Sequence, residues 1–185
     1  MTESEELELL EVAREAARAA ARELLPRFGD RARGVTTKST PTDPVSEADI
    51  AAERAVREVL AHRRPDDRVL GEEEGASGSG ELRWLVDPLD GTVNFLFGIP
   101  AFAVSVACED GDGGVAGVVL DPVRDECFAA TRSGGAVLNG QRLTGSGRSA
   151  LATSLVATGF GYDASVRERQ AALTLIEEQI WGLLV

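Results

Sequence analysis

The sequence has 185 residues, of which 31 are acidic and 19 are Lys or Arg, so its formal net charge is −12. With 43% hydrophobic and 27% charged residues, the composition excludes a chain that is disordered over most of its length and predicts one folded domain over residues 1–185. The acidic excess argues against partners that are nucleic acids or anionic membranes, because both attract Lys and Arg.

The first predicted element is an amphipathic helix over Ser4–Leu25, which Pro26 and Gly29 end. Its apolar positions recur at helical spacing: Leu7, Leu10, Ala17, Ala20 and Leu24. Residues 31–44 are rich in Thr, Ser, Pro and Gly and read as a loop or irregular hairpin.

A second helix is predicted after Ser46, a plausible N-cap, and Arg63, Arg64 and Pro65 end it. Its predicted buried positions are Ala52, Ala55, Val56, Val59 and Leu60. The acidic, glycine-rich stretch 71–80 that comes later is predicted to be a mobile loop.

The middle of the chain is rich in predicted strands. Trp84-Leu85-Val86 indicates a buried strand that stops at Asp87-Pro88. Further strand candidates are 103–108, 117–120 and 126–131, and Asn139-Gly140 is a strong hairpin signal. A helix is predicted from about 164 to 178. Two helices, an antiparallel meander and another helix indicate a layered α+β fold.

Scarce residue types limit the chemistry. His62 is the only histidine and reads as the solvated end of a helix, while Cys108 and Cys127 lack the CxxC spacing of a zinc site. The N-terminus lacks a signal peptide pattern, so a cytoplasmic protein with reduced thiols is expected. Because Lys38 is also the sole lysine, carboxylates and hydroxyls must carry any chemistry, and many carboxylates favour a hard cation such as Mg²⁺.

The segment around Asp87 and Asp90 concentrates that chemistry. Two carboxylates and the carbonyl of Leu89 could meet at one point, and the N–H groups of Gly91 and Thr92 could bind a phosphate. These are the parts that metal-assisted phosphoryl transfer needs. An Asp-Pro turn that only caps its own backbone explains the spacing equally well.

Several separated motifs together resemble the inositol monophosphatase family of Mg²⁺-dependent, lithium-sensitive phosphomonoesterases. The central one is Asp87-Pro88-Leu89-Asp90-Gly91-Thr92, followed by Asn94-Phe95, Gly98, Pro100 and Val104-Ser105. Further similar blocks are Lys38-Ser39, Asp43 to Asp49, Gly71-Glu72-Glu73 and Gly134 to Gly140, so that the resemblance covers roughly Glu6 to Asp163. It implies a layered α/β sandwich with a largely antiparallel sheet.

The resemblance also implies metal ligands. Glu72, Asp87, the Leu89 carbonyl and Asp90 match the positions that hold two cations in this family. Glu72 could instead be an exposed loop acid. Glu73 is a candidate catalytic acid that would contact the metal ligands and not the metal itself.

Asp49 and Thr92 match the pair that orients and deprotonates the attacking water. Ser46-x-x-Asp49 is also a capping-box pattern, and the two interpretations can coexist. Thr92 could instead bond its own turn. Lys38 resembles a family position near the catalytic acids, where the resemblance implies a supporting role.

The resemblance fails beyond the last predicted helix. Family members continue with a C-terminal layer, including a Trp-Asp motif, whereas Trp181 is followed by Gly182. We therefore expect one domain that is incomplete at its C-terminus. The leading hypothesis is an Mg²⁺-dependent phosphatase acting through metal-activated water on inositol monophosphate or a similar small polyol or alcohol phosphate.

Two alternatives stay open. The substrate could be histidinol phosphate or a sugar or nucleotide phosphate, because relatives process all of these. The chain could also be an inactive fragment with weak cation binding. Members of the family are commonly homodimers, so a second copy of the chain is the protein partner that the resemblance implies.

Overall fold

The computed structural model describes residues 1–29, 36–37, 44–150 and 153–154, and for 36–37 and 44–45 it describes the backbone alone. The chain divides into two compact units, Met1–Thr36 with Val45–Leu143, and Thr37–Pro44 with Thr144–Val185. Lys38 and the predicted helix at 164–178 lie outside the described residues, and so does the predicted loop or hairpin at 31–44 apart from the backbone of 36–37 and 44.

The first helix, α1, spans Glu3–Leu24 and confirms the prediction. Thr2 and Glu5 form a capping box at its start: the Thr2 hydroxyl oxygen accepts from the Glu5 amide, and the Thr2 amide donates to Glu5 Oε2 at 2.6 Å. The helix passes into a short 3-10 turn, Leu25–Arg27, that contains Pro26. One predicted core position is wrong, because the side chain of Leu7 is 50% exposed.

The second helix, α2, spans Glu47–Arg63 and begins at Ser46, as predicted. Ala52, Val56 and Leu60 are buried, whereas Ala55 and Val59 lie at its margin and are half-buried. In the described part of the chain, no helix combines the length and the apolar character that crossing a membrane requires.

The described strands form two sheets. Strands β1 (Thr36–Thr37) and β2 (Pro44–Val45) pair with each other, and the other eight form one sheet in the order β10-β9-β8-β7-β6-β5-β3-β4. The eight are β3 (Arg68–Gly71), β4 (Ala76–Ser77), β5 (Arg83–Asp90), β6 (Ala103–Asp110), β7 (Gly113–Asp121), β8 (Glu126–Thr131), β9 (Gly135–Leu138) and β10 (Gln141–Arg142). All neighbours in this sheet are antiparallel except β3 and β5, so the predicted largely antiparallel α+β architecture is confirmed.

Two sequence predictions need correction in this sheet. The stretch 71–80 is not only a loop, because Ala76–Ser77 pairs with the end of β3 around a turn at Gly75. Strand β5 also does not stop at Asp87-Pro88 but continues to Asp90. In both places pairing with a neighbouring strand supplies the order that local composition does not indicate.

Helices α1 and α2 pack against each other and against the sheet, α1 over β6, β7 and β8 and α2 over β5. Trp84 of β5 is fully buried beneath them, and its indole N–H donates to Asp67 Oδ2 at 2.9 Å. Arg64 Nε donates to the same oxygen at 2.8 Å, so the end of α2 is tied to the beginning of β5. This packing places the start of α2 near the end of β5, where the candidate site lies.

Candidate active site

The candidate site forms where β5 bulges. Asp87 pairs with Ser105 and Asp90 with Ala103, so one extra residue lies in β5 between the two pairs. Pro88 has no N–H to donate to the ladder, and the amide of Leu89 donates instead to Asp87 Oδ1 at 3.2 Å. The predicted bond from the local backbone to the Asp87 side chain is therefore present. The bulge also interrupts the regular pairing of β5 with β6 between Asp87 and Asp90.

A short helix, α3 (Thr92–Leu96), begins directly after the bulge with Gly91 as its N-cap. Gly91 has φ +91°, and a Cβ there would lie 3.0 Å from the carbonyl oxygen of Ala101, so glycine is required. The helix is anchored through Phe95, whose ring lies 5.1 Å from that of Phe102 and 5.7 Å from that of Phe28 between centroids.

Asp49 and Thr92 meet although 43 residues separate them in sequence. The Thr92 hydroxyl donates to Asp49 Oδ1 at 3.0 Å, and the carbonyl oxygen of Leu89 is a second acceptor at 3.1 Å. The other Asp49 oxygen accepts the amide of Ser46 at 2.9 Å and the Ser46 hydroxyl at 2.5 Å. The carboxylate is 1% exposed, and these bonds fix the oxygen that faces Thr92.

Three carboxylates influence one another on the other side of the bulge. The pKa of Asp87 rises from 3.8 to about 7, first because the group is largely buried and then because of the negative charge of Glu72, to which it is hydrogen bonded. The charge of Asp90 raises it further, while the amide of Leu89 opposes the rise. Negative charge is therefore concentrated around the half-buried Asp87, beside the exposed Glu72 and Asp90.

These donors fit a hard cation by their chemistry, because Mg²⁺ binds carboxylate and carbonyl oxygens. A cation would also relieve the repulsion that raises the Asp87 pKa. Within residues 1–29 and 46–150, no group of three or more His, Cys, Asp or Glu side chains is arranged to hold a metal ion. The fit therefore rests on the donor types and their electrostatics, and not on a preformed coordination shell.

Glu73 and Glu74 are held by a residue that sequence reasoning missed. Glu53 of α2 is fully buried, and its carboxylate accepts the amides of Glu73 at 2.6 Å and Glu74 at 3.0 Å. The sequence gives no clear signal for this role: Glu53 follows Asp49 by one helical turn, but it stands between Ala52 and Arg54, where an acid is usually solvated.

An open cavity of about 390 Å³ adjoins the bulge. Its polar lining comprises Asp90, Asn94, Asp121, Arg124 and Glu126, together with the backbone at Gly91. The structure thus joins Thr92 to Asp49 and to the Leu89 carbonyl by hydrogen bonds. It also places Glu72 and Asp90 close enough to Asp87 to raise its pKa. Gly91 lies between Asp90 and the first residue of α3.

Comparisons with known proteins agree on one family. The family model described as "Inositol monophosphatase family" matches residues 5–179. Inositol-1-monophosphatase SuhB of Mycobacterium tuberculosis is 43% identical over 159 residues, which cover 80% of this chain and 55% of that protein. Nus factor SuhB of Pseudomonas aeruginosa is 44% identical over 159 residues, covering 83% of this chain and 58% of the relative.

A solved structure is similar as well. The crystal structure of extragenic suppressor protein SuhB from Bartonella henselae matches with a TM-score of 0.84 and 36% identity, and the match covers 95% of this chain and 67% of that one. The chain spans a little over half the length of the two curated relatives above.

Proposed function

The chain belongs to the inositol monophosphatase family, and from this premise we propose that it hydrolyses a phosphate monoester of inositol or of a similar small polyol or alcohol with the help of Mg²⁺. The observation that carries the proposal is the hydrogen bond from Thr92 to the buried Asp49, 3.0 Å long, beside the Asp87 bulge. A hydroxyl aimed at a buried carboxylate is a route for a proton, and ester hydrolysis must remove one from the attacking water.

In this proposal Thr92 and Asp49 relay protons: one moves from water to the Thr92 oxygen as the hydroxyl proton of Thr92 moves to Asp49. The Thr92 hydroxyl gives its own hydrogen toward Asp49 Oδ1, which leaves its oxygen lone pairs to accept a proton from water. The hydroxide attacks phosphorus in line with the ester oxygen, the bond between phosphorus and that oxygen breaks, and the departing alkoxide takes a proton from solvent water, which gives the alcohol and inorganic phosphate. Ser46 holds the opposite oxygen of Asp49 so that the carboxylate cannot rotate away.

Glu72, Asp87, Asp90 and the Leu89 carbonyl would hold Mg²⁺. When bound, the cation supplies positive charge that offsets the charge of the phosphate and makes nearby water more acidic. Gly91 and Thr92 contribute backbone N–H groups at the start of α3, which are suited to phosphate oxygens. Glu73 stays a candidate supporting acid, held by its backbone to Glu53.

A small hydroxylated substrate is supported by the lining of the adjoining cavity. Asp121, Arg124 and Glu126 offer both donors and acceptors next to Asp90. The cavity has a volume of about 390 Å³, which suits a six-carbon polyol better than a polymer.

The experiment measures phosphate release by the purified chain from inositol 1-phosphate, histidinol phosphate, a hexose phosphate and a nucleoside monophosphate. We expect release only with Mg²⁺, fastest from inositol 1-phosphate, and abolished in Asp90→Asn. Asp112→Asn is the matched control, because Asp112 is an exposed acid in the turn between β6 and β7.

Contrary outcomes separate the alternatives. Release that persists in EDTA or in Asp90→Asn would overturn the metal-dependent proposal. Mg²⁺ binding without any turnover would instead support the inactive-fragment hypothesis, and preference for another ester would change the substrate alone.

A further inference from the structure

Glu53 is a buried charge for which the proposed reaction has no role. It lies on α2 with no exposed surface, and Arg57, one turn later, donates to its Oε1 through Nε at 2.8 Å. Burying an ionised carboxylate costs free energy unless hydrogen bonds and a counter-charge offset it. The hydrogen-bond partners of Glu53 must therefore offset the cost of its burial.

The partners lie on the loop that carries Glu72. Glu53 Oε2 accepts the amide of Glu73 and Oε1 accepts the amide of Glu74, so one carboxylate binds two consecutive N–H groups directly after Glu72. Such charge-assisted bonds are short and roughly twice as strong as neutral ones. They fix the backbone position from which the Glu72 side chain reaches Asp87.

Arg57 holds the far side of the same loop. Its guanidinium donates to the carbonyl of Gly75 at 2.5 Å and to the hydroxyl of Ser77 at 2.9 Å, and it pairs with the Glu74 carboxylate at 3.6 Å. The loop between β3 and β4 is thus fastened to α2 by Glu53 and Arg57, one helical turn apart, and at its surface by Arg54, whose Nε donates to Glu74 Oε1 at 2.9 Å.

Gly71 completes the fit. A Cβ at this position would lie 2.0 Å from Glu53 Oε1 and 2.4 Å from its carboxyl carbon, closer than real contacts allow. The Gly-Glu-Glu motif therefore has a physical reason for its glycine, which is the space that the buried carboxylate occupies.

We propose that Glu53 is a positioning residue for the candidate active site: its carboxylate holds the Glu72 loop against the same helix that carries Asp49. Asp49 and Glu53 are four residues apart on α2, so one rigid element sets both the carboxylate that receives the Thr92 hydrogen bond and the loop beside Asp87. This inference rests on the proposed function, because it assigns Glu72 to the metal.

The test compares Glu53→Gln with Glu58→Gln, an identical change at an exposed position of the same helix. In Glu53→Gln an amide NH₂ replaces one acceptor oxygen and faces an N–H donor, so the loop loses its buried anchor next to Glu72 while the side-chain volume is kept and the contacts of Arg57 farther along the loop remain. Calorimetric titration with Mg²⁺ should show affinity about 10- to 100-fold weaker in Glu53→Gln and unchanged in Glu58→Gln. The rate at saturating Mg²⁺ should recover most of the wild-type kcat, because Glu53 does not touch substrate.

A second measurement needs only the wild-type chain. Amide hydrogen exchange should show Glu73 and Glu74 protected at least about ten-fold relative to unstructured peptide, because both N–H groups are bonded to a buried acceptor. Unprotected amides at both positions would overturn the inference even if Glu53→Gln failed to fold.

The outcomes also separate this inference from the proposed function. Equal Mg²⁺ affinity in wild type and Glu53→Gln would remove the positioning role and leave the phosphatase proposal standing. No Mg²⁺ binding by the wild type would remove the metal-dependent proposal, and this inference with it.

Discussion

The two oxygens of the Asp49 carboxylate have different partners, and this division reconciles two interpretations of one sequence pattern. Oδ2 closes the capping box with Ser46, and Oδ1 accepts the Thr92 hydroxyl. Neither use displaces the other, because an ionised carboxylate offers about four acceptor positions. A helix cap can therefore hold an acid in the orientation that proton transfer would require.

Thr92 tests the proposed proton route at the scale of one atom. Thr92→Ala removes the hydroxyl, and we expect kcat for phosphate release to fall about 10²- to 10⁴-fold, the usual contribution of a group that moves a proton. Thr92→Ser keeps the hydroxyl and should stay within about ten-fold of the wild type. Both are assayed at saturating Mg²⁺ on the substrate that the wild type prefers.

Thermal unfolding of the two variants is the control. The hydroxyl also lies 3.1 Å from the carbonyl of Leu89, so loss of a turn cap would lower stability in Thr92→Ala. Reduced stability with kcat unchanged would mean that Thr92 only caps its turn, which is the alternative that the sequence left open.

Sequence reasoning found the acids of the Asp87 motif but missed Glu53, and the reason is physical. Acids in helices are usually solvated, so an isolated Glu between Ala52 and Arg54 indicates a surface position. Its burial depends on two loop amides some twenty residues away, which no local pattern reveals. The roles assigned to Glu72, Asp87, Leu89, Asp90, Gly91 and Glu73 stay predictions.

At the scale of elements, the sequence predicts those structures that depend on the conformational preferences of a few adjacent residues. Asn139 and Gly140 have φ of +49° and +82°, as a tight hairpin requires, and β9 and β10 pair across them as expected. Strand β4 and the continuation of β5 through Pro88 escaped prediction. Both depend on pairing with a neighbouring strand of the sheet, and Gly- and Pro-containing segments have little strand propensity of their own.

Helix α1 offers a matched test of its buried face. Leu24 is fully buried, whereas Leu7 is 50% exposed although helical spacing placed both in one apolar stripe. We expect Leu24→Ala to lower the free energy of unfolding by about 2–5 kcal/mol, because it leaves a cavity. Leu7→Ala should change it by less than about 0.5 kcal/mol.

Urea unfolding followed by circular dichroism measures both changes. Since the same atoms are removed from the same helix, the difference between the variants reports burial and not helix propensity. Equal losses would contradict the packing of α1 on β6, β7 and β8.

At the scale of the whole molecule, the charge of −12 takes on a specific meaning. Part of the acidic excess is gathered at the bulge, where Glu72 and Asp90 help to raise the pKa of Asp87 to about 7. Repulsion among like charges opposes folding, and a divalent cation bound between them would replace this repulsion with attraction. The single-domain organisation and the homodimer stay predictions.

The raised pKa of Asp87 makes stability depend on pH and on Mg²⁺ together. An acid with a pKa of about 7 in the folded chain and 3.8 ordinarily binds its proton more tightly when folded, so its contribution is present below pH 4 and is lost as pH rises through 7. In EDTA we expect the free energy of unfolding to fall between pH 5 and pH 8 by on the order of 2 kcal/mol, after allowing for solvent screening of a partly exposed group. Mg²⁺ should restore more stability at pH 8 than at pH 5, since it competes with the proton. Asp87→Asn, which cannot ionise, should show neither the fall nor the pH-dependent rescue, and an equal fall in this variant would assign the effect to other groups.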